Sequence, residues 1–363
     1  MQNIKKSEMN IGTNKEKVIV GMSGGVDSSV AAYLLKEQGY EVIGVTMRVW
    51  QEENKANGLQ AEADAKRIAD TLGIEHRVVS YEKSFKDNVV DYFVNEYLKG
   101  RTPNPCNMCN RRIKWESLIN VAKEVGAKYV ATGHYARVDR LANGRLAICN
   151  SATATKDQTY ALCNLTQEQL AYTIMPIGSY EKTRVREIAA SIGLDVAHKA
   201  DSQDICFIPD GDYAAFIRNN TDIDIKPGDF VDKDGKILGK HKGITDYTIG
   251  QRKGLNLAMG HPVFVTGIDV EKNQVIIGEN EDLFTTRVRA EDFNYMAAQS
   301  MKPGDRFIGK IRYAHKGDWC TVINATEDTV EIEFDVPVRA ITAGQALVLY
   351  DGEYVAGGGI IAS

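Results

Sequence analysis

From Val18 to Thr132, short apolar runs alternate with segments of helical spacing, and this alternation restricts the fold more than any other feature of the chain. Val18-Ile19-Val20-Gly21-Met22 reads as a strand. Val30 to Leu35 lies at helical spacing up to Gly39, a C′ glycine, Glu41 to Thr46 reads as a second strand, and Ala61 to Leu72 as a helix stopping at Gly73. The alternation continues with Glu75 to Val79 as strand, Phe85 to Leu98 and Arg111 to Val125 as helices, and Lys128 to Thr132 as strand. Strands joined through helices require right-handed crossovers. The sheet is therefore predicted to be parallel, with its ligand at the carboxyl ends of the strands. This predicts an α/β domain over residues 1–210.

Beyond residue 210 the helical spacing gives way to short alternating runs rich in Val and Ile. They are Val263 to Asp269, Gln274 to Gly278, Phe307 to Tyr313, Thr321 to Asn324, Val330 to Phe334 and Ala346 to Tyr350. Turn signals stand at Lys226-Pro227-Gly228 and Asp232-Lys233-Asp234-Gly235. Close-spaced strands predict a small β-rich connector at 211–280 and a C-terminal β-barrel at 281–363.

The 363 residues, 43% hydrophobic and 26% charged, exclude a disordered or collagenous chain. No apolar run reaches the length that crosses a bilayer, and the polar start from Met1 to Lys17 has no signal-peptide stretch, so a cytoplasmic monomer is expected. Six cysteines are too few for a disulfide scaffold of this size. The net charge of −5 hides an uneven distribution: residues 101–150 carry 9 basic and 3 acidic side chains, whereas 201–250 carry 6 and 10. A local basic surface can bind nucleic acid on an acidic protein, although charge alone fits a solvated helix face as well.

Gly21-Met22-Ser23-Gly24-Gly25-Val26-Asp27-Ser28-Ser29 stands between the first strand and the first helix. Paired glycines open backbone conformations in which successive N–H groups converge on an anion, and Ser28 and Ser29 lie in the positive first turn of the helix. An ordinary capped turn is the bland alternative. No Gly-Lys-Ser/Thr follows at Walker A spacing. The stretch resembles the loop of the PP-loop ATP pyrophosphatases, which cleave ATP to AMP and pyrophosphate while adenylating a substrate oxygen. That resemblance implies Mg²⁺ beside the pyrophosphate, with Asp27 as the carboxylate able to contact it.

Arg101-Thr102-Pro103-Asn104-Pro105-Cys106-Asn107-Met108-Cys109-Asn110-Arg111-Arg112 reads as a stiff, extended basic loop bearing two thiols, and a third stands in Asp201-Ser202-Gln203-Asp204-Ile205-Cys206. Cys149, Cys163 and Cys320 have apolar neighbours and read as core residues. With Ala-Thr-Gly-His-Tyr at 131–135, Lys-Asp-Gln at 156–158 and Gly-Gln-Arg-Lys-Gly-Leu at 250–255, these segments make almost the whole chain resemble the tRNA-specific 2-thiouridylases. The resemblance implies that Gly21 to Ser28, Met47 and Gly133 bind ATP. It also implies that Cys206 carries persulfide sulfur received from a donor protein, that Cys109 releases the product, and that Asn104, Pro105, Cys106, His134, Lys156, Asp157, Gln158, Arg312, Tyr313 and Gln345 touch tRNA. One departure is Cys106, where the common family pattern has Asp. Three thiolates at 106, 109 and 206 suit an iron-sulfur cubane with an open iron for hydrosulfide, and this route is ranked just ahead of the persulfide. A small-molecule adenylating synthetase, or a metal-stabilised RNA-binding protein without catalysis, are the competing readings.

Overall fold

The computed structural model describes residues 15–50, 55–198 and 205–362. Its first part comprises β1 (Lys17–Gly21), helix α1 (Val26–Glu37), β2 (Glu41–Arg48), helix α2 (Lys55–Leu72), β3 (Glu75–Ser80), β4 (Tyr129–Ala131), a hairpin of β5 (Arg137–Arg140) and β6 (Leu146–Cys149), and the two-residue β7 (Thr173–Ile174). The sheet has order β3-β2-β1-β4-β7 and is parallel throughout. Val18, Ile19 and Val20 of β1 are fully buried, as a central strand covered on both faces requires. Val18 and Val20 pack with Val30 and Leu35 of α1 and with Ala65 and Ile68 of α2, while Ile19 faces Trp115, Leu118 and Ile148 across the sheet. Strand order reverses at β1, between β2 and β4. That switch point opens the crevice in which the site lies.

The two helices of the basic region differ from the sequence reading. Helix begins at Pro105, six residues before Arg111, because Asn104 accepts a hydrogen bond from Cys106 N at 3.1 Å and Pro105 occupies the first turn, where its missing N–H costs nothing. The cysteine loop is thus a helical start rather than an extended segment. From Cys109 to Trp115 the turns widen to π-helix before α-helix resumes at Glu116–Val125, and Lys86–Val90 widens likewise inside the 82–98 segment.

Two β units follow. Strands β8 (Gly228–Val231), β9 (Ile237–His241), β10 (Phe264–Asp269) and β11 (Gln274–Gly278) form a sheet of order β10-β11-β8-β9 around Phe230, Val265 and Val275. The helix Tyr213–Asn219 precedes it and sends Phe216 and Ile217 into a core with Phe85, Phe93 and Phe207 of the first part. The last unit holds β12 (Phe284–Tyr295), β13 (Arg306–Lys310), β14 (Asp318–Ala325), β15 (Val330–Arg339), β16 (Ala346–Asp351) and β17 (Tyr354–Ile361). Their order β12-β15-β14-β13-β16-β17 closes through β12–β17 pairing into a six-stranded antiparallel barrel. The β5–β6 hairpin, unforeseen in the sequence, joins this barrel sheet where Cys149 pairs with Tyr354. Among the described residues, no helix is long and apolar enough to cross a membrane.

Candidate active site

A cavity of about 440 Å³ lies where β1, β2 and β4 end, and it joins the phosphate loop to two thiols. Gly21, Met22, Ser23, Asp27 and Ser28 of the loop line it together with Met47, Gly133, His134, Gln158, Cys109 and Cys206. Gly24, Gly25 and Val26 shape the loop from behind. Gly24 has φ +69°, and a Cβ there would lie 2.6 Å from Ala61 O, so only glycine fits. Ser29 Oγ donates to Gly25 O at 2.7 Å, and Ser28 Oγ accepts from Ser23 N at 3.2 Å, which folds the loop over the start of α1. Gly133 touches the same turn. A Cβ at Gly133 would meet Ser28 N at 2.5 Å.

Asp27 is already engaged. Lys182 Nζ donates to both of its carboxylate oxygens at 2.8 Å, and Tyr135 OH donates to one at 2.7 Å. The other carboxylate on the cavity wall, Glu62, takes a two-pronged pair from Arg48 at 2.8 Å. The cavity walls therefore present Mg²⁺ with no free carboxylate among the described residues, and an ion arriving with ATP would rest on the phosphate oxygens. One donor is left over: Trp50 Nε1 is buried on the cavity wall without a hydrogen-bond partner in the described structure. Lys182, Tyr135, Arg48 and Glu62 were not foreseen, since their partners are remote in sequence.

Both thiols face the cavity while protein crowds them from behind, and burial pushes the Cys109 thiol up to about 12 and raises that of Cys206. The ammonium of Lys114 opposes the shift at each. His134, hydrogen-bonded through Nδ1 with Thr132 Oγ1 at 2.7 Å, is driven well below its ordinary value by burial and is a neutral imidazole at pH 7. Cys106 is exposed on the helical start and outside the cavity lining, yet near enough to act electrostatically on both Cys109 and Cys206. Among the described residues no three His, Cys, Asp or Glu side chains are grouped to hold a metal ion. Asp201, Ser202, Gln203 and Asp204 lie outside the described residues.

The remaining residues assigned to tRNA by resemblance include one on the main cavity wall, Gln158, and two in a second cleft. Gln158 Oε1 accepts from Tyr135 N at 2.8 Å, and the Asp157 carboxylate is taken up by Ser151 N and Thr159, so both brace a turn. Lys156 is exposed. Tyr313, 55% exposed, donates to Asp157 O at 3.2 Å. Arg312 and Gln345 line a second cleft with Thr102, Thr248 and Arg339, where Gln345 Nε2 donates to Thr102 O at 2.8 Å. Asn104 caps the helix through its Oδ1 and Pro105 is buried.

Residues 16–210 match the tRNA methyl transferase HUP domain, 215–279 the tRNA methyl transferase PRC-barrel domain, and 285–361 the Aminomethyltransferase beta-barrel domain. A tRNA-specific 2-thiouridylase of Lachnoclostridium phytofermentans is 56% identical over 354 residues, covering 95% of this chain and 99% of the relative. One from Clostridioides difficile is 50% identical, covering 95% and 98%. Among solved structures, an NMN synthetase from Francisella tularensis shares 20% identity over 52% of this chain and 66% of its own, at a TM-score of 0.34, a likeness too slight to bear on function. With identity of this order running from the phosphate loop through the last barrel strand, the chain belongs to the tRNA-specific 2-thiouridylase family.

Proposed function

We propose that the protein uses ATP to replace the C2 oxygen of a tRNA wobble uridine by sulfur. A uridine C2 oxygen is a poor leaving group, and attack of that oxygen on the α-phosphorus of ATP releases pyrophosphate and converts it into one. The loop amides between Ser23 and Ser28 would hold the departing pyrophosphate. The terminal sulfur of a Cys206 persulfide, charged by a sulfur-donor protein, then attacks C2 and expels AMP. Cys109 thiolate attacks the Cys206 sulfur, forming a Cys109–Cys206 disulfide and freeing the 2-thiouridine.

One observation carries this reading: a single cavity is lined by the phosphate loop and by both Cys109 and Cys206. Thiols facing the reaction path have no use in a small-molecule synthetase, and an intact phosphate loop has none in a passive RNA-binding protein. The two thiols that line the cavity, Cys109 and Cys206, are those the persulfide route needs. The reading is tested by tRNA-dependent pyrophosphate release and 2-thiouridine formation. Asp27→Ala is expected to abolish the first with the fold retained, and Cys206→Ser the second alone. Pyrophosphate release by Asp27→Ala at the parent rate overturns the adenylation step. Cys106→Asp discriminates the sulfur routes, since it keeps thiolation if a persulfide carries the sulfur and loses it if a cluster does.

A further inference from the structure

The charged side chains on the cavity wall are settled in pairs, with one exception. Asp27 is held by Lys182, and Arg48 by Glu62. Lys114 is half-buried on the wall, and among the described residues its ammonium has no hydrogen-bond or ion-pair partner. Its helical neighbours do not share its position: Arg111 lies 3.8 Å from Asp292 and Arg112 3.5 Å from Glu116. Lys114 follows Cys109 by five residues on the same wide helical turn, a register that brings i and i+5 together in a π-helix. The titratable groups its charge reaches are Cys109, Cys206 and His134, which stand with it on the cavity wall. A half-buried ammonium with no counter-charge among the described residues is costly, and an anion of the reaction would complete it.

We infer that Lys114 is the positioning cation of the sulfur-transfer step, the counter-charge for the anionic sulfur on Cys206 and Cys109. The class of ligand it takes is a thiolate or persulfide anion rather than phosphate, because Lys114 shares the wide helical turn of Cys109 and its charge acts on both thiols. Burial raises the cost of a negative sulfur at this site, and Lys114 is the group on the cavity wall that offsets it. The inference rests on the persulfide reading above.

The test uses the full chain as Lys114→Met, Lys114→Gln and Lys114→Arg, probed with iodoacetamide at neutral pH and read by peptide mass. Loss of the cation is expected to slow alkylation of Cys109 and Cys206 about tenfold, the effect of one unit in thiol pKa, with recovery in Lys114→Arg. Thiolation should fall by about the same factor while tRNA-dependent pyrophosphate release changes by no more than about threefold. Alkylation at the parent rate in both neutral variants overturns the inference. So does a fall in pyrophosphate release that equals the fall in thiolation, because the cation would then serve the phosphates. The glutamine variant keeps a polar end on the stem, so a folding defect confined to the methionine variant does not decide the outcome. Thiolation by Cys206→Ser would instead remove the persulfide reading, which is a separable result.

Discussion

At Gly133 a single methyl group would collide with the Asp27–Ser28 peptide, within 2.5 Å of Ser28 N, 2.6 Å of Asp27 C and 2.9 Å of Ser28 Cα. Backbone cannot swing aside as a side chain does, so Gly133→Ala should displace the loop rather than unfold the sheet. We expect pyrophosphate release to fall about a hundredfold, the scale of a misplacement near 1 Å, with an unchanged circular dichroism spectrum. Activity within about twofold of the parent would show that the contact does not set the loop. The loop itself was legible because its chemistry is local: glycines, serines and Asp27 fall within nine consecutive positions. Lys182 was not, since its only warrant is a partner 155 residues away. Lys114 was equally silent, being one cation in a basic stretch until the wide turn carried it to the cavity wall.

The helical segment that follows the phosphate domain's third strand shows how charge in a sequence can mislead. Arg101, Arg111 and Arg112 flank the thiols and invite an RNA-binding reading. Arg101, however, pairs with buried Glu96 at 2.8 Å and donates to Ile361 O in β17 at 3.2 Å. Arg111, 19% exposed, faces Asp292 in β12. Two of the three therefore tie the helix to the barrel, and only Arg112, 46% exposed, is open to a phosphate. Arg112→Ala should reduce the slope of log affinity for tRNA against log salt by about 0.7 to 0.9. Arg111→Ala should leave that slope alone and lower the melting temperature by about 2 °C. A flattened slope in the Arg111 variant would return that side chain to the RNA surface. Element type was readable from periodicity, but the helical start at Pro105 depended on a cap that the Pro-rich composition masked.

Across the whole molecule, the barrel and the phosphate domain share one core rather than touching at a seam. Ile148, Tyr160 and Leu162 pack with Met296, Val348 and Tyr350, and Tyr160 OH donates to Ala346 O at 2.8 Å. Arg145 reaches Met296 O at 2.7 Å, and Asn294 Nδ2 donates to Cys163 O at 2.8 Å. A fragment ending at residue 280 would uncover this core and leave β6 as an unpaired edge. It is expected to bind a hydrophobic dye and to lose the parent's cooperative thermal transition. A sharp transition at the parent temperature would show instead that the phosphate domain folds alone. Close-spaced Val and Ile runs announced the barrel, whereas the strands at its closing seam, β12 and β17, carry charges and three consecutive glycines and gave no such signal. The β5–β6 hairpin was invisible for a related reason, because its partner strand lies some two hundred residues downstream.

The wide turn from Cys109 to Trp115 is, in terms of the chain, one residue more than a regular helix needs. Removing one residue between those positions would restore ordinary winding and swing Cys109 by about 100° about the axis relative to buried Trp115. Point substitution cannot reproduce that rotation. The line of descent that first brought this thiol into the cavity could therefore have crossed a change of length, a gain of one codon, and its trace would be a gap in an alignment rather than a difference in a column.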